Sequence, residues 1–215
     1  GLAAGLSVII AFTYGIIYSA TGSVFPALVS FAVAGAALGF LLLNYPPATI
    51  FMGDSGSLFL GAALAVLPLL HRGSSPLEAG ILPGITLLLI PILDVFAAMW
   101  RRTRRRVGIM NPDKEHLHHK LLSLGLETRT ALLIIYVVEL SLSCLVVARF
   151  SMPYQYFFSL TILAWCFVGG GFIWLHYATS PRARWEEFAR KREAELAAGE
   201  DEEIERTGTW FGRRK

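Results

Sequence analysis

The chain has 215 residues, 54% of them hydrophobic and only 16% charged, with a mean hydropathy of +0.55 and a formal net charge of +3. Soluble domains carry about a quarter charged residues, so an ordinary soluble fold is excluded. The small net charge, with basic residues set beside apolar runs, also excludes nucleic acid as a partner.

Charge is segregated as well as scarce. Nine basic and nine acidic residues, from totals of 19 and 16, fall in 182–215. A spanning helix needs roughly 20 mostly apolar residues. Taken in chain order, the runs 2–20, 24–43, 58–70, 81–100, 131–148 and 156–177 meet or approach that length. They predict an all-α, polytopic integral membrane protein with about six transmembrane helices. Pro26, Pro68, Pro83 and Pro91 fall inside or beside these runs, where packed membrane helices tolerate them. Cys144 and Cys166 both lie in apolar stretches, with neither the spacing nor the setting of a metal site. They read as packing residues.

Orientation follows from the arginines. Arg101, Arg102, Arg104, Arg105 and Arg106 follow the fourth run, and Arg182, Arg184, Arg190, Lys191 and Arg192 follow the sixth. Six spans put both segments on one side, which the positive-inside rule makes cytoplasmic in a plasma membrane. The loop 44–57 then shares that side, and the turns 71–79 and 150–155 face outward. Residues 1–181 read as the membrane domain and 182–215 as a charged cytoplasmic tail.

Two polar cytoplasmic segments could carry chemistry. In the first, Asp54 sits between Gly53 and Ser55-Gly56, just ahead of an apolar helix. Glycines let backbone approach a phosphate, and a helix N-terminus offers unbonded N–H groups to anions. A carboxylate beside them is a hard ligand of the kind Mg²⁺ takes together with substrate phosphates. The same position suits a simple N-cap, and the residues alone leave both readings open.

The second segment runs Asn111-Pro112-Asp113-Lys114-Glu115-His116-Leu117-His118-His119-Lys120. Asn111 with Pro112 reads as an N-cap and first helical residue. Leu117, Leu121 and Leu124 form one stripe of a short amphipathic helix. His116 and His119 are i, i+3 neighbours, and His118 points elsewhere. One helix cannot aim three imidazoles at one ion, so a zinc site is not expected. Histidines and lysines donating to a diphosphate fit the pattern better. Asp94 and Glu139 are intramembrane acids, which default to functional or paired roles. Asp94 lies toward the cytoplasmic end of its span, within reach of the polar segments or of a loop arginine.

The run Asn44 to Gly61, NYPPATIFMGDSGSLFLG, resembles a signature of the polyprenyl-phosphate N-acetylhexosamine-1-phosphate transferases, glycosyltransferase family 4. Pro91-Ile92-Leu93-Asp94 and NPDKEHLHHKLLSLGL, from Asn111, are similar to two further signatures in the same order. The resemblance covers about 1–126. It implies a helical membrane enzyme in which polyprenyl (undecaprenyl) phosphate attacks the β-phosphorus of a UDP-N-acetylhexosamine, with N-acetylglucosamine the expected sugar. UMP leaves. This would be a first membrane step of envelope polysaccharide (lipopolysaccharide included) or teichoic-acid assembly.

By the same resemblance Asp54 is the Mg²⁺ (or Mn²⁺) ligand, Phe51 stacks on uracil and Asn44 contacts the nucleotide. His116, His118 and His119, with Lys114, would contact the diphosphate. The His-x-His-His pattern favours the polysaccharide and teichoic-acid branch over the phospho-muramoyl-pentapeptide transferases, whose histidines are consecutive. Membrane lipid is an implied partner, and a homodimer is compatible. Gly1-Leu2-Ala3-Ala4-Gly5 is similar to the end of an aspartate-rich family stretch whose aspartates are absent here. The expectation is a C-terminal portion of a longer enzyme, inactive alone. A non-catalytic scaffold or lipid-linked binding protein is the alternative. A transporter fits less well, since the polar residues cluster in loops rather than along a midplane path.

Overall fold

A computed structural model describes residues 1–70, 81–104 and 117–179. Among these every regular element is helical: α1 (Leu2–Ala20), α2 (Val24–Asn44), α3 (Gly53–Val66, with a 3₁₀ turn Leu67–Leu70), α4 (Ile81–Leu87), α5 (Leu89–Arg104), α6 (Leu117–Ser123), α7 (Thr128–Ala148, with a 3₁₀ turn Arg149–Ser151) and α8 (Tyr154–Ala178). The chain divides into two units, Gly1–Phe172 and Ile173–Lys215. The described part of the second is the end of α8 and Thr179, whose Oγ1 donates to the Leu175 carbonyl at 2.8 Å. The tail 182–215 and its expected boundary lie outside the described residues.

Among the described residues five helices are long and apolar enough to cross a membrane, and α4 with α5 make a sixth if the bent pair is one span. Most boundaries fall within a few residues of the expected runs, and two differences bear on the site. The third span begins at Gly53 rather than 58, because the helix starts inside the polar Gly-Asp-Ser-Gly-Ser stretch. The fourth is broken at Leu88, where α4 and α5 meet at 68°. Pro91 explains the break. It has no N–H to donate to the Leu87 carbonyl, and its ring crowds that carbonyl. Helical bonding flanks the gap, with Leu88 N–H donating to Gly84 and Ile92 N–H to Leu88, both at 2.9 Å.

α1 is the centre of the first unit. Ala4, Ile10, Ala11, Tyr14 and Tyr18 along it are fully buried. Ile10, Ala11, Tyr14 and Tyr18 pack in one cluster with Ala27 and Ala34 of α2, Leu64 and Leu67, Leu87 to Ile90 around the break, and Ile135, Leu142 and Val146 of α7. Small residues permit the close approach that membrane helices use. A Cβ on Gly15 would lie 2.4 Å from the Phe31 ring, and one on Gly5 would lie 2.2 Å from Tyr136. Phe12, Leu42 and Phe167 are exposed, as lipid-facing surface is. Cys144 and Cys166 are free and also exposed, so they do not pack the core as expected.

Side-chain bonds fix which helix ends meet. The Tyr18 hydroxyl donates to the Leu67 carbonyl, joining the C-terminal ends of α1 and α3. At the other end the Tyr136 hydroxyl donates to Gly1 (2.7 Å), and Arg129 Nε donates to the Pro46 carbonyl (3.2 Å). The start of α1, the loop after α2 and the start of α7 therefore share one end of the bundle.

Glu139 of α7 is fully buried, and neither carboxylate oxygen has a hydrogen-bond partner among the described residues. Neither Arg129 nor Arg149 reaches it. A buried, unpaired carboxylate costs several kcal/mol. Glu139→Gln, which keeps the shape and removes the ionisable group, should therefore hold or raise the thermal midpoint in detergent. A fall of more than about 2 kcal/mol in unfolding free energy would show that the carboxyl itself is needed there.

Candidate functional site

The loop between α2 and α3 is braced from within. Asn44 Nδ2 donates to the Ile50 carbonyl (2.8 Å), and Thr49 donates to the Leu43 carbonyl from both its backbone N–H (2.9 Å) and its Oγ1 (3.0 Å). Asn44 was expected as a nucleotide contact; here its amide nitrogen holds the loop. That loop presents Phe51, which is 84% exposed. Exposed rings are common on this chain, Phe25 and Phe167 among them, so what sets Phe51 apart is its place three residues before Asp54.

Gly53 follows with φ +65° and opens α3. The left-handed conformation suits glycine and strains other residues. A Cβ there would touch nothing, so the demand at Gly53 is on the backbone alone. Asp54 comes next, in the first turn, and is exposed. The N-cap is Met52, and no side chain caps the helix. The first turn of α3 therefore keeps N–H groups without helical partners, beside a carboxylate at the positive end of the helix dipole. Ser57 Oγ bonds the Asp54 carbonyl at 2.9 Å, leaving its carboxylate untouched by that contact. The capping role that the sequence left open for Asp54 is not the one it takes.

The histidine segment is described from Leu117 onward; Lys114, His116 and the expected cap at Asn111 lie outside the described residues. Leu117 and Leu121 pack against the core, while Leu124 is exposed. The helix stops because Gly125 turns left-handed at φ +87°, with its N–H on the Leu122 carbonyl at 3.0 Å. His118 is half-buried and His119 exposed. Their rings lie 4.1 Å apart, tilted by 36°, so the His118 ring lies beside that of His119 rather than pointing away. At the start of this helix the Leu117 N–H donates to Asp94 Oδ1 at 2.8 Å.

α6 leads directly into α7, so the histidines belong to the same end of the bundle as Arg129 and the Asn44–Ser57 segment. A groove of about 500 Å³ between α1 and α7, lined by Val8, Phe12, Leu140, Ser143 and Cys144 among others, holds none of the candidate residues. Among the described residues no three His, Cys, Asp or Glu side chains form a metal cluster. An ion held by Asp54 would therefore draw its other ligands from substrate and water, or from residues outside those described.

Residues 1–71 match the family model described as glycosyl transferase family 4. A probable undecaprenyl-phosphate N-acetylglucosaminyl 1-phosphate transferase of Bacillus subtilis is 43% identical over 138 residues, covering 64% of this chain and 38% of that protein. The decaprenyl-phosphate N-acetylglucosaminephosphotransferase of Mycobacterium tuberculosis is 39% identical over 155 residues, covering 63% and 38%. A phospho-N-acetylmuramoyl-pentapeptide-transferase of Levilactobacillus brevis is 41% identical over 121 residues, covering 56% and 36%. The chain thus spans well under half the length of these curated relatives. No solved structure matches. The family model thus matches the first third of the chain, and the similarity to these transferases extends over about two thirds of it.

Proposed function

We propose that the protein carrying this chain transfers a sugar-1-phosphate, N-acetylglucosamine-1-phosphate by preference, from a UDP-sugar to polyprenyl phosphate on the cytoplasmic face of the plasma membrane. The observation that carries the reading is the opening of α3. An exposed carboxylate, an uncapped helix N-terminus and an exposed aromatic ring lie within four residues, at the bundle end that also holds the histidine helix. The relatives' names, which pair a polyprenyl phosphate with an N-acetylglucosamine phosphate, support the substrates.

A polyprenyl-phosphate oxygen attacks the β-phosphorus, the bond from that phosphorus to the bridging oxygen breaks, and UMP leaves with the electron pair. Phosphoryl transfer asks a protein for positioning and charge neutralisation more than for covalent chemistry. Asp54 would hold Mg²⁺ or Mn²⁺, which when bound neutralises diphosphate charge. One exposed hard ligand suits that ion, since Mg²⁺ commonly takes one or two carboxylates plus phosphates. The first-turn N–H groups of α3 face the same anion, and His118 and His119 donate to its oxygens. Phe51 stacks on the uracil.

Membranes containing the native gene product should release UMP from UDP-N-acetylglucosamine only when polyprenyl phosphate is present. UMP release independent of the lipid would contradict the reading. Phe51→Ala should raise KM for the UDP-sugar about tenfold or more, since base–aromatic stacking is worth about 1–3 kcal/mol. Its fold should be unchanged, because the ring is exposed. Steady-state kinetics over UDP-sugar concentration checks this; an unchanged KM would return Phe51 to the lipid-facing surface.

A further inference from the structure

The geometry points to Asp94 as the positioning residue of the histidine helix: its carboxylate anchors the first N–H of α6 and so sets where His118 and His119 point. This rests on the transferase reading above and adds a residue to it.

The chain of cause begins at Pro91. The break it makes at Leu88 turns α5 by 68° from α4. Asp94 lies six residues into the re-aimed helix, half-buried, and its Oδ1 accepts the Leu117 N–H at 2.8 Å across 23 residues of sequence. Capping oxygens normally come from the residue just ahead of a helix. Here the acceptor comes from a different helix, so the bond fixes α6 in space as well as satisfying that one N–H. A negative charge there also favours the positive end of the helix dipole.

The described turns of α6 run from Leu117 to Ser123, and tertiary contacts rather than propensity hold such an element in place. Its position is therefore set by its anchors. These are Leu117 and Leu121 on the core, the left-handed Gly125 at its C-terminal end, and Asp94 at its N-terminal end. His118 is the residue immediately after the anchored N–H, and the His119 ring lies against it at 4.1 Å. Releasing that N–H frees the first turn, which is the turn that carries both rings. Asp94 is not assigned a contact with substrate or metal.

Two substitutions separate this role from a charge used in the chemistry. Asp94→Asn keeps an oxygen acceptor and loses the charge; Asp94→Ala loses both. In full-length protein in detergent or nanodiscs, amide exchange of a peptide spanning Leu117–Ser123 should quicken about tenfold or more in Asp94→Ala and stay near wild type in Asp94→Asn. This readout does not depend on activity, so it stands even if the transferase reading fails. In the transfer assay, Asp94→Ala should lower kcat about tenfold to a hundredfold with little change in KM for the UDP-sugar. Asp94→Asn should retain turnover within about threefold. Unchanged exchange in Asp94→Ala would overturn the anchor. A folded Asp94→Asn as inactive as Asp94→Ala would overturn positioning in favour of a charge used directly. If Asp94→Ala does not assemble, the Asp94→Asn result alone decides. Wild-type protein without transfer activity would overturn the transferase reading and leave the exchange result to judge the anchor.

Discussion

Asp54→Asn should lower sugar-phosphate transfer by about a hundredfold or more while leaving the protein folded. The structural cost of the change is small and can be bounded. Asp54 is exposed, in the first turn of α3, and the cap of that helix is Met52 without a side-chain bond. Asparagine therefore loses no cap. It loses only the attraction between a carboxylate and the helix N-terminus, about 0.3–1 kcal/mol at an exposed site. A hundredfold fall in rate corresponds to about 2.7 kcal/mol of transition-state stabilisation, well beyond that bound. The excess measures the charge that a divalent ion on the diphosphate requires. The residual activity should also need a higher Mg²⁺ concentration, because the ion then depends on substrate and water for more of its ligation. Rates across a Mg²⁺ titration, with thermal midpoints of both proteins alongside, check this. Wild-type-like turnover at low Mg²⁺ would remove the metal role from Asp54.

His119→Ala should reduce turnover by about a hundredfold, and His118→Ala by at least tenfold, with detergent-solubilised stability nearly unchanged. Removing one preorganised donor from a developing charge costs about 10²–10³ in rate in well-studied sites. His119 is exposed, so its loss leaves no cavity. His118 is half-buried and its ring lies 4.1 Å from that of His119, so its removal also frees the neighbouring ring. The double variant should fall little below the worse single one if the two rings act as a unit. Single-turnover rates test this, and near-normal rates in both single variants would make these residues surface histidines at a lipid headgroup layer.

Much of the fold was legible because a bilayer demands one thing of sequence, a long apolar run, and six such runs are present. What that signal misses is backbone geometry. The helix at Gly53 starts among polar residues that hydropathy counts as loop. The break at Leu88 depends on a single missing N–H three residues downstream, at Pro91, while the run itself stays apolar. Candidate site residues stand out in sequence where a motif is contiguous, as around Asp54 and His118-His119. The sequence could not decide between ligand and cap at Asp54, since both roles use the same residue type beside the same glycines; the position of the cap at Met52 decides it against capping. Nor could it pair Asp94 with Leu117, because no periodicity links positions 23 residues apart. The inward amide of Asn44 follows from the curl of its loop, which also lies beyond pattern reading.

In the proposed reaction the sugar moves together with its phosphate. Membranes containing the native gene product, given UDP-N-acetylglucosamine labelled with ³²P at the β-phosphorus together with polyprenyl phosphate and Mg²⁺, should move the label into an organic-extractable lipid and release unlabelled UMP in equal amount. Label remaining in water as UDP while the sugar enters the lipid would mean that the sugar alone is transferred, and would contradict the account.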